Sequence, residues 1–232
     1  RWYAAKAETL VGTRIAAATL LPDASNPLLL CEIDATTGQG TQRYLLPLEF
    51  LPEDQAITAI PQQLALARIR RGRSVGYLTD ASALDGLART LIRLLYAEAR
   101  LPATDGDLHF VATSQRGALD LPADAEVRHL AAEQSNTSLV IGDKVIVKLL
   151  RNITAGVHPE AEMGRVLTER GFANSVPLLG EATRIGADGR PHVLAVAHCF
   201  LHNQGDAWSW TLNTLERAIR DLTAVVEGSA SE

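Results

Sequence analysis

The chain has 232 residues, 47% hydrophobic and 21% charged, with a net charge of −5 at neutral pH. That length supports one large domain or two small ones with a full core, and the negative balance argues against a broad footprint for nucleic acid or acidic membranes. No apolar run reaches the roughly 18 residues of a membrane helix, and the first residues show no signal-peptide layout. The two cysteines, Cys31 and Cys199, sit in separate apolar runs. That spacing argues against a disulfide framework or a cysteine zinc site and fits a reducing cytoplasm.

Residues 10–22, 27–35 and 42–50 read as three strands, with turns at Asp23–Asn26 and Thr36–Gly40. Gly38-Gln39-Gly40 lacks the third glycine of a dinucleotide fingerprint and no helix follows it, so it reads as a hairpin loop. Pro61–Arg71 fits a short helix stopped by Gly72, with Arg68, Arg70 and Arg71 in its last turn where the helix dipole favours them. A strand follows at Ser74–Leu78. Asp80–Arg100 predicts a long helix, capped by Asp80 or Ser82, with Leu84, Leu87, Leu91, Leu94 and Leu95 on one stripe. Strands crossed by one long helix make an α+β unit. The polar, helix-breaking stretch Leu101–Gly106 marks its boundary. Asp105-Gly106-Asp107-Leu108-His109 reads as a turn into a strand at Leu108–Thr113, and a strand pair follows around Arg116–Leu121 and Glu126–Leu130.

The stretch from Glu133 to Arg170 carries the most information. Four small hydroxyl and amide residues, Ser135 to Ser138, precede two apolar strands, 139–142 and 145–150, joined by Gly142-Asp143, a pairing suited to a tight turn with positive φ. Lys148 stands inside the second strand. A lysine there is costly to bury without a negative partner, unless it snorkels from an edge strand. The next element offers partners: Pro159 suits a helix start and Gly171 its stop. Met163, Val166 and Leu167 form an apolar stripe on this helix, with Glu162 beside Val166 on one shoulder and Glu160 beside Leu167 on the other. Either carboxylate can reach a strand lysine. Both also fit as first-turn acids favoured by the helix dipole.

Val176–Ile185 and His192–Leu201 are two further strands, joined by Gly186-Ala187-Asp188-Gly189, completing a five- or six-stranded antiparallel sheet. His192, His198 and His202 alternate loosely but lack the helical carboxylate or histidine spacing of a metal site. Asp206 can cap a last helix with Trp208, Leu212, Leu215, Ile219, Leu222 and Val226 on one seam.

Strand, turn, strand with lysine, then helix with glutamate is the order of the small lobe of protein-kinase-like folds, where a Lys–Glu pair holds ATP phosphates. The run Gln134 to Leu149, with Asn203-Gln204-Gly205-Asp206-Ala207-Trp208 and the opening Arg1-Trp2-Tyr3-Ala4-Ala5-Lys6, resembles the bacterial maltokinases. These are kinase-like enzymes related to the aminoglycoside phosphotransferases, some of them fused behind a trehalose synthase. The resemblance runs end to end, weakly through residues 50–125.

It implies an N-terminal cap over residues 1–104, an ATP-side small lobe over 105–202 and a linker helix over 203–232. It further implies transfer of the ATP γ-phosphate to the anomeric hydroxyl of maltose, with Mg²⁺ ligands on a catalytic lobe missing from this sequence. By the same resemblance Lys148 would bind the α- and β-phosphates, with Glu162 as its ion-pair partner and Glu160 as the alternative. Ser135, Asn136, Thr137 and Ser138 would form the phosphate-covering turn. The hinge would be His198 to Leu201, with Cys199 and Leu201 offering main-chain contacts to adenine. The family's His-Gly-Asp-Leu-His loop is not matched at residues 105–109: Asp105 stands where the first His belongs, Ala112 where the trailing Asn belongs, and the segment precedes the lysine strand. No catalytic motif follows residue 202, so no catalytic residue is assigned and no activity is expected of the chain alone. Two other readings stand beside this one. The first is a non-catalytic module that docks trehalose synthase or pairs with itself through the last helix. The second is a kinase of another small metabolite.

Overall fold

The computed structural model describes residues 3, 6–22, 24, 26–53, 65–118, 121–122, 124–130, 135–203, 205 and 207–229. The first three strands form as read: β1 (Leu10–Leu21), β2 (Leu28–Thr37) and β3 (Gly40–Pro52), antiparallel, with Gly38 and Gln39 as the β2–β3 turn. β4 (Ala65–Arg71) and β5 (Ser74–Asp80) extend this sheet in the order β1-β2-β3-β5-β4.

β4 corrects the helix expected at Pro61–Arg71, of which residues 61–64 lie outside the described residues. Alanine, leucine and arginine favour helix, but Gly72 turns the chain at φ +61° and residues 65–71 pair with β5. Hairpin pairing overrides a weak local preference. Downstream, Asp80 Oδ1 accepts from the Ser82 N–H at 3.0 Å and opens a short 3-10 turn, Ala81–Ala83. Helix α1 (Asp85–Tyr96) follows, shorter than expected at both ends, with Leu87, Leu91, Leu94 and Leu95 buried.

The second sheet holds β6 (Arg100–Pro102), β7 (Asp107–Ala112), β8 (Val127–Leu130), β9 (Thr137–Ile141), β10 (Val145–Leu149), β12 (Leu178–Ile185) and β13 (Pro191–Cys199). Its order is β6-β7-β12-β13-β10-β9-β8, antiparallel throughout, so short β6 adds a seventh strand to the five or six expected. β11 (Asn152–Ile153) pairs with β3 in the first sheet. Residues 114–118 make a 3-10 turn, which corrects the start of the strand expected around Arg116–Leu121, of which residues 119–120 lie outside the described residues. There the Thr113 hydroxyl donates to the Leu178 carbonyl at 2.5 Å and accepts from the Gln115 N–H at 3.3 Å, a local hydroxyl turn that competes with ladder pairing.

One core lies between the sheets and α1, built from Leu21, Leu28 and Leu45, from Leu91 of the helix, and from Val147 and Leu194 of the second sheet. Helix α2 (Pro159–Glu169) covers the other face of the second sheet over a smaller cluster, Leu150, Ala161, Leu178, Val193 and Val196. Two buried arginines join the sheets: Arg151 binds Asp80, and Arg184 binds Glu32.

The turn read at residues 105–107 is present, and Gly106 is required there. It sits at φ +76°, and a Cβ would stand 1.8 Å from the Ile185 carbonyl oxygen. Gly106→Ala is expected to cost at least about 1–3 kcal/mol, visible as a lowered thermal midpoint.

Residues Arg1–Phe200 form one unit and Leu201–Glu232 a second. Within the second, helix α3 (Ala207–Ser229) exposes Trp208, Leu212, Leu215, Ile219 and Leu222 of the expected seam. Asp206 and the Val226 side chain lie outside the described residues. Among the described residues, no helix is long and apolar enough to cross a membrane.

Candidate functional site

Strand alternation places the lysine. Val145, Val147 and Leu149 are buried in the main core, so Lys148 points to the opposite, α2-covered face. Residues directly opposed in an antiparallel ladder share a face. Lys148 is opposed by Ser138 on β9 and Val196 on β13, which places these three in one row.

Glu160 meets the lysine from above. Lys148 Nζ donates to Glu160 Oε2 at 2.9 Å, with both side chains only partly exposed, 23% and 33%. This corrects the assignment of Glu162 as the partner. The buried face of α2 is Ala161, Gly164 and Thr168, whereas Met163 and Val166 are about half exposed. At about 100° per residue, Glu160 lies roughly 70° from the centre of that face and Glu162 roughly 130°. Glu162 is exposed and lines a separate hollow with His158 and Arg165. The helix turns a small-residue face to the sheet because it approaches closely: a Cβ on Gly164 would stand 3.3 Å from Leu178 Cβ.

A third titratable group completes the cluster. His198 Nε2 lies 3.8 Å from Glu160 Oε1, the oxygen Lys148 does not use. Burial lowers the ring's pKa below that of an ordinary histidine. Glu160 and the Val176 carbonyl act in the opposite direction, and Lys148 adds to the lowering. The sequence marks His198 only among loosely alternating histidines and at the expected hinge; its place here comes from its register on β13, where it shares the face of Val196 and Lys148.

The expected phosphate turn divides. Ser135 is exposed and Asn136 Nδ2 reaches its hydroxyl at 3.5 Å. Thr137 is already in β9 and opposes Leu149, so it faces the first sheet, where its hydroxyl accepts from Arg151 Nε at 2.9 Å. Its hydroxyl is therefore part of the inter-sheet bonding. Ser138 faces the lysine side, 1% exposed, and its hydroxyl has no hydrogen-bond partner among the described residues. A buried hydroxyl without a partner is costly, and this one belongs to the residue opposite Lys148 in the ladder.

At the expected hinge, the Cys199 N–H donates to the Pro177 carbonyl at 3.0 Å, so that donor is committed within the sheet, and burial raises the thiol pKa. In the second unit Leu201 is exposed, its carbonyl accepting from Asn203 Nδ2 at 3.3 Å. Among the described residues, no group of His, Cys, Asp and Glu could hold a metal ion.

This is the α+β architecture of a kinase-like N-terminal lobe, with an additional sheet against it. The chain is similar in fold to a solved glucosamine kinase in complex with glucosamine, ADP and inorganic phosphate, at a TM-score of 0.54 and 19% identity, over 94% of this chain and 42% of that one. Two crystal forms of a glucosamine kinase match equally, at a TM-score of 0.54 and 18% identity. In sequence, 98 residues are 26% identical to the glucosamine kinase of Mycolicibacterium smegmatis, 42% of this chain and 25% of that protein. The chain is thus similar to glucosamine kinases and spans less than half the length of these relatives. No family model matches it.

Proposed function

We propose that this chain is the phosphate-holding portion of an ATP-dependent sugar kinase, with its cap over residues 1–104, its ATP-side lobe over 105–202 and a linker helix over 203–232. The observation that carries the reading is the Lys148–Glu160 ion pair at 2.9 Å, with Ser138, whose hydroxyl has no partner among the described residues, opposite Lys148 in the ladder. In this reading Lys148 offsets the charge of the α- and β-phosphates. Glu160 fixes the ammonium's position, and Ser138 donates to a phosphate oxygen. Ser135 and Asn136 cover the phosphates through the backbone, and the Cys199 carbonyl meets adenine. Mg²⁺ accompanies ATP with its ligands on the remainder of the enzyme, where the catalytic base and the sugar also sit.

Maltose, implied by the motif resemblance, is our reading of the acceptor. The glucosamine kinase relatives support an amino sugar as the alternative. The exposed seam of α3 supports a second role, as a surface that meets trehalose synthase or another copy of the chain.

ADP titrated calorimetrically against the chain tests the site. Lys148→Met is expected to weaken binding about tenfold or more, the loss of one charge-assisted contact, while Glu162→Gln leaves it unchanged. Equal affinity in the parent chain and Lys148→Met would sink the reading.

A further inference from the structure

His198 has no part in the roles above. Yet it stands where three elements converge. Glu160 faces the ring from α2 and Lys148 from β10, and the Val176 carbonyl faces it from the segment before β12. The ring also forms part of the seat of the helix, since a Cβ at Gly164 would lie 3.5 Å from His198 Cε1. At 3.8 Å, Nε2 is beyond hydrogen-bond range of Glu160 Oε1 and within ion-pair range.

We propose that His198 is a positioning residue for the Glu160 carboxylate and sets the charge that the Lys148 site presents to a polyphosphate. With the ring neutral, one ammonium and one carboxylate cancel. With the ring protonated, one positive charge remains, and Nε2–H holds Oε1 while Lys148 keeps Oε2. A polyphosphate at Lys148 favours the protonated ring. By linkage its binding takes up a proton and tightens as the pH falls through the ring's titration. The charge argument rests on the reading that Lys148 meets phosphate; the His198–Glu160 contact does not.

Two measurements on the full chain separate the two. The first follows the His198 ring titration by NMR at Cε1. Glu160→Gln is expected to lower the ring's pKa and Lys148→Met to raise it. A ring that titrates identically in all three proteins overturns the positioning role. The second measures tripolyphosphate affinity by calorimetry between about pH 5 and 8, in the parent chain and in His198→Gln, which keeps a polar group but cannot take the charge. Affinity in the parent chain is expected to rise on acidification by up to about tenfold more than in the variant. Parallel profiles overturn the proposal. If tripolyphosphate fails to bind at any pH while the ring still responds to Glu160→Gln, the positioning role stands and the phosphate reading falls.

Discussion

Arg151→Met is expected to destabilise the chain by about 3–5 kcal/mol, the usual cost of removing one partner from a buried ion pair. The guanidinium is 1% exposed and every edge of it is used. Nη2 donates to Asp80 Oδ2 at 3.0 Å and Ser82 Oγ at 2.7 Å, Nη1 to the Leu45 carbonyl at 3.2 Å, and Nε to Thr137 Oγ1 at 2.9 Å. Methionine fills much of the volume but leaves Asp80, itself 8% exposed, as a buried carboxylate without its cation. Urea unfolding measures the loss, and Arg151→Met combined with Asp80→Asn is expected to recover part of it. A loss under about 1 kcal/mol, the level of a surface pair, would mean that the sheets hold together without this contact.

Arg184→Met is expected to cost a similar amount, about 3–5 kcal/mol, at the other inter-sheet contact. Arg184 is fully buried and grips Glu32 with two parallel bonds, one of them Nη2 to Oε2 at 2.8 Å, while Nη1 reaches Asp105 Oδ2 at 2.8 Å. Glu32, 1% exposed, would keep among the described residues the cation of Arg43, whose Nη1 is 3.7 Å away. Truncation therefore strands a carboxylate between the layers. The bonds described above for the two arginines involve different partners, so their costs are expected to add nearly in full. A double variant no worse than either single one would show that the two contacts break as one unit.

The parts of this fold that the sequence shows plainly are those whose cause is local. Gly142 and Asp143 both take positive φ, 56° and 52°, as a tight turn between two aliphatic runs demands. Pro159 and Gly171 bracket α2 where their backbone preferences put them. What is hidden depends on distance or on closeness of approach. Arg151 and Arg184 look like surface charges in the sequence because their acidic partners lie 71 and 152 positions away. The face of α2 is misjudged because its tight seat selects small residues at 161, 164 and 168 over the bulkier Met163 and Val166. From spacing either carboxylate reaches the lysine and the family resemblance puts Glu162 first; the seat of α2 puts Glu160 there instead. The run Ser135–Ser138 reads as one loop, but β9 begins at Thr137, and the two-residue period of a strand then sends Thr137 and Ser138 to opposite faces.

The position of Arg151, three residues past Lys148 and just before β11 joins the first sheet, limits how far this protein can be trimmed. Deleting the first eighty-odd residues to obtain a minimal phosphate binder would remove Leu45, Asp80 and Ser82 together. The guanidinium at the exit of the lysine strand would then lose its carboxylate, its serine hydroxyl and its backbone carbonyl. Any miniaturised version must either carry the first sheet along or rebuild that exit around an apolar side chain.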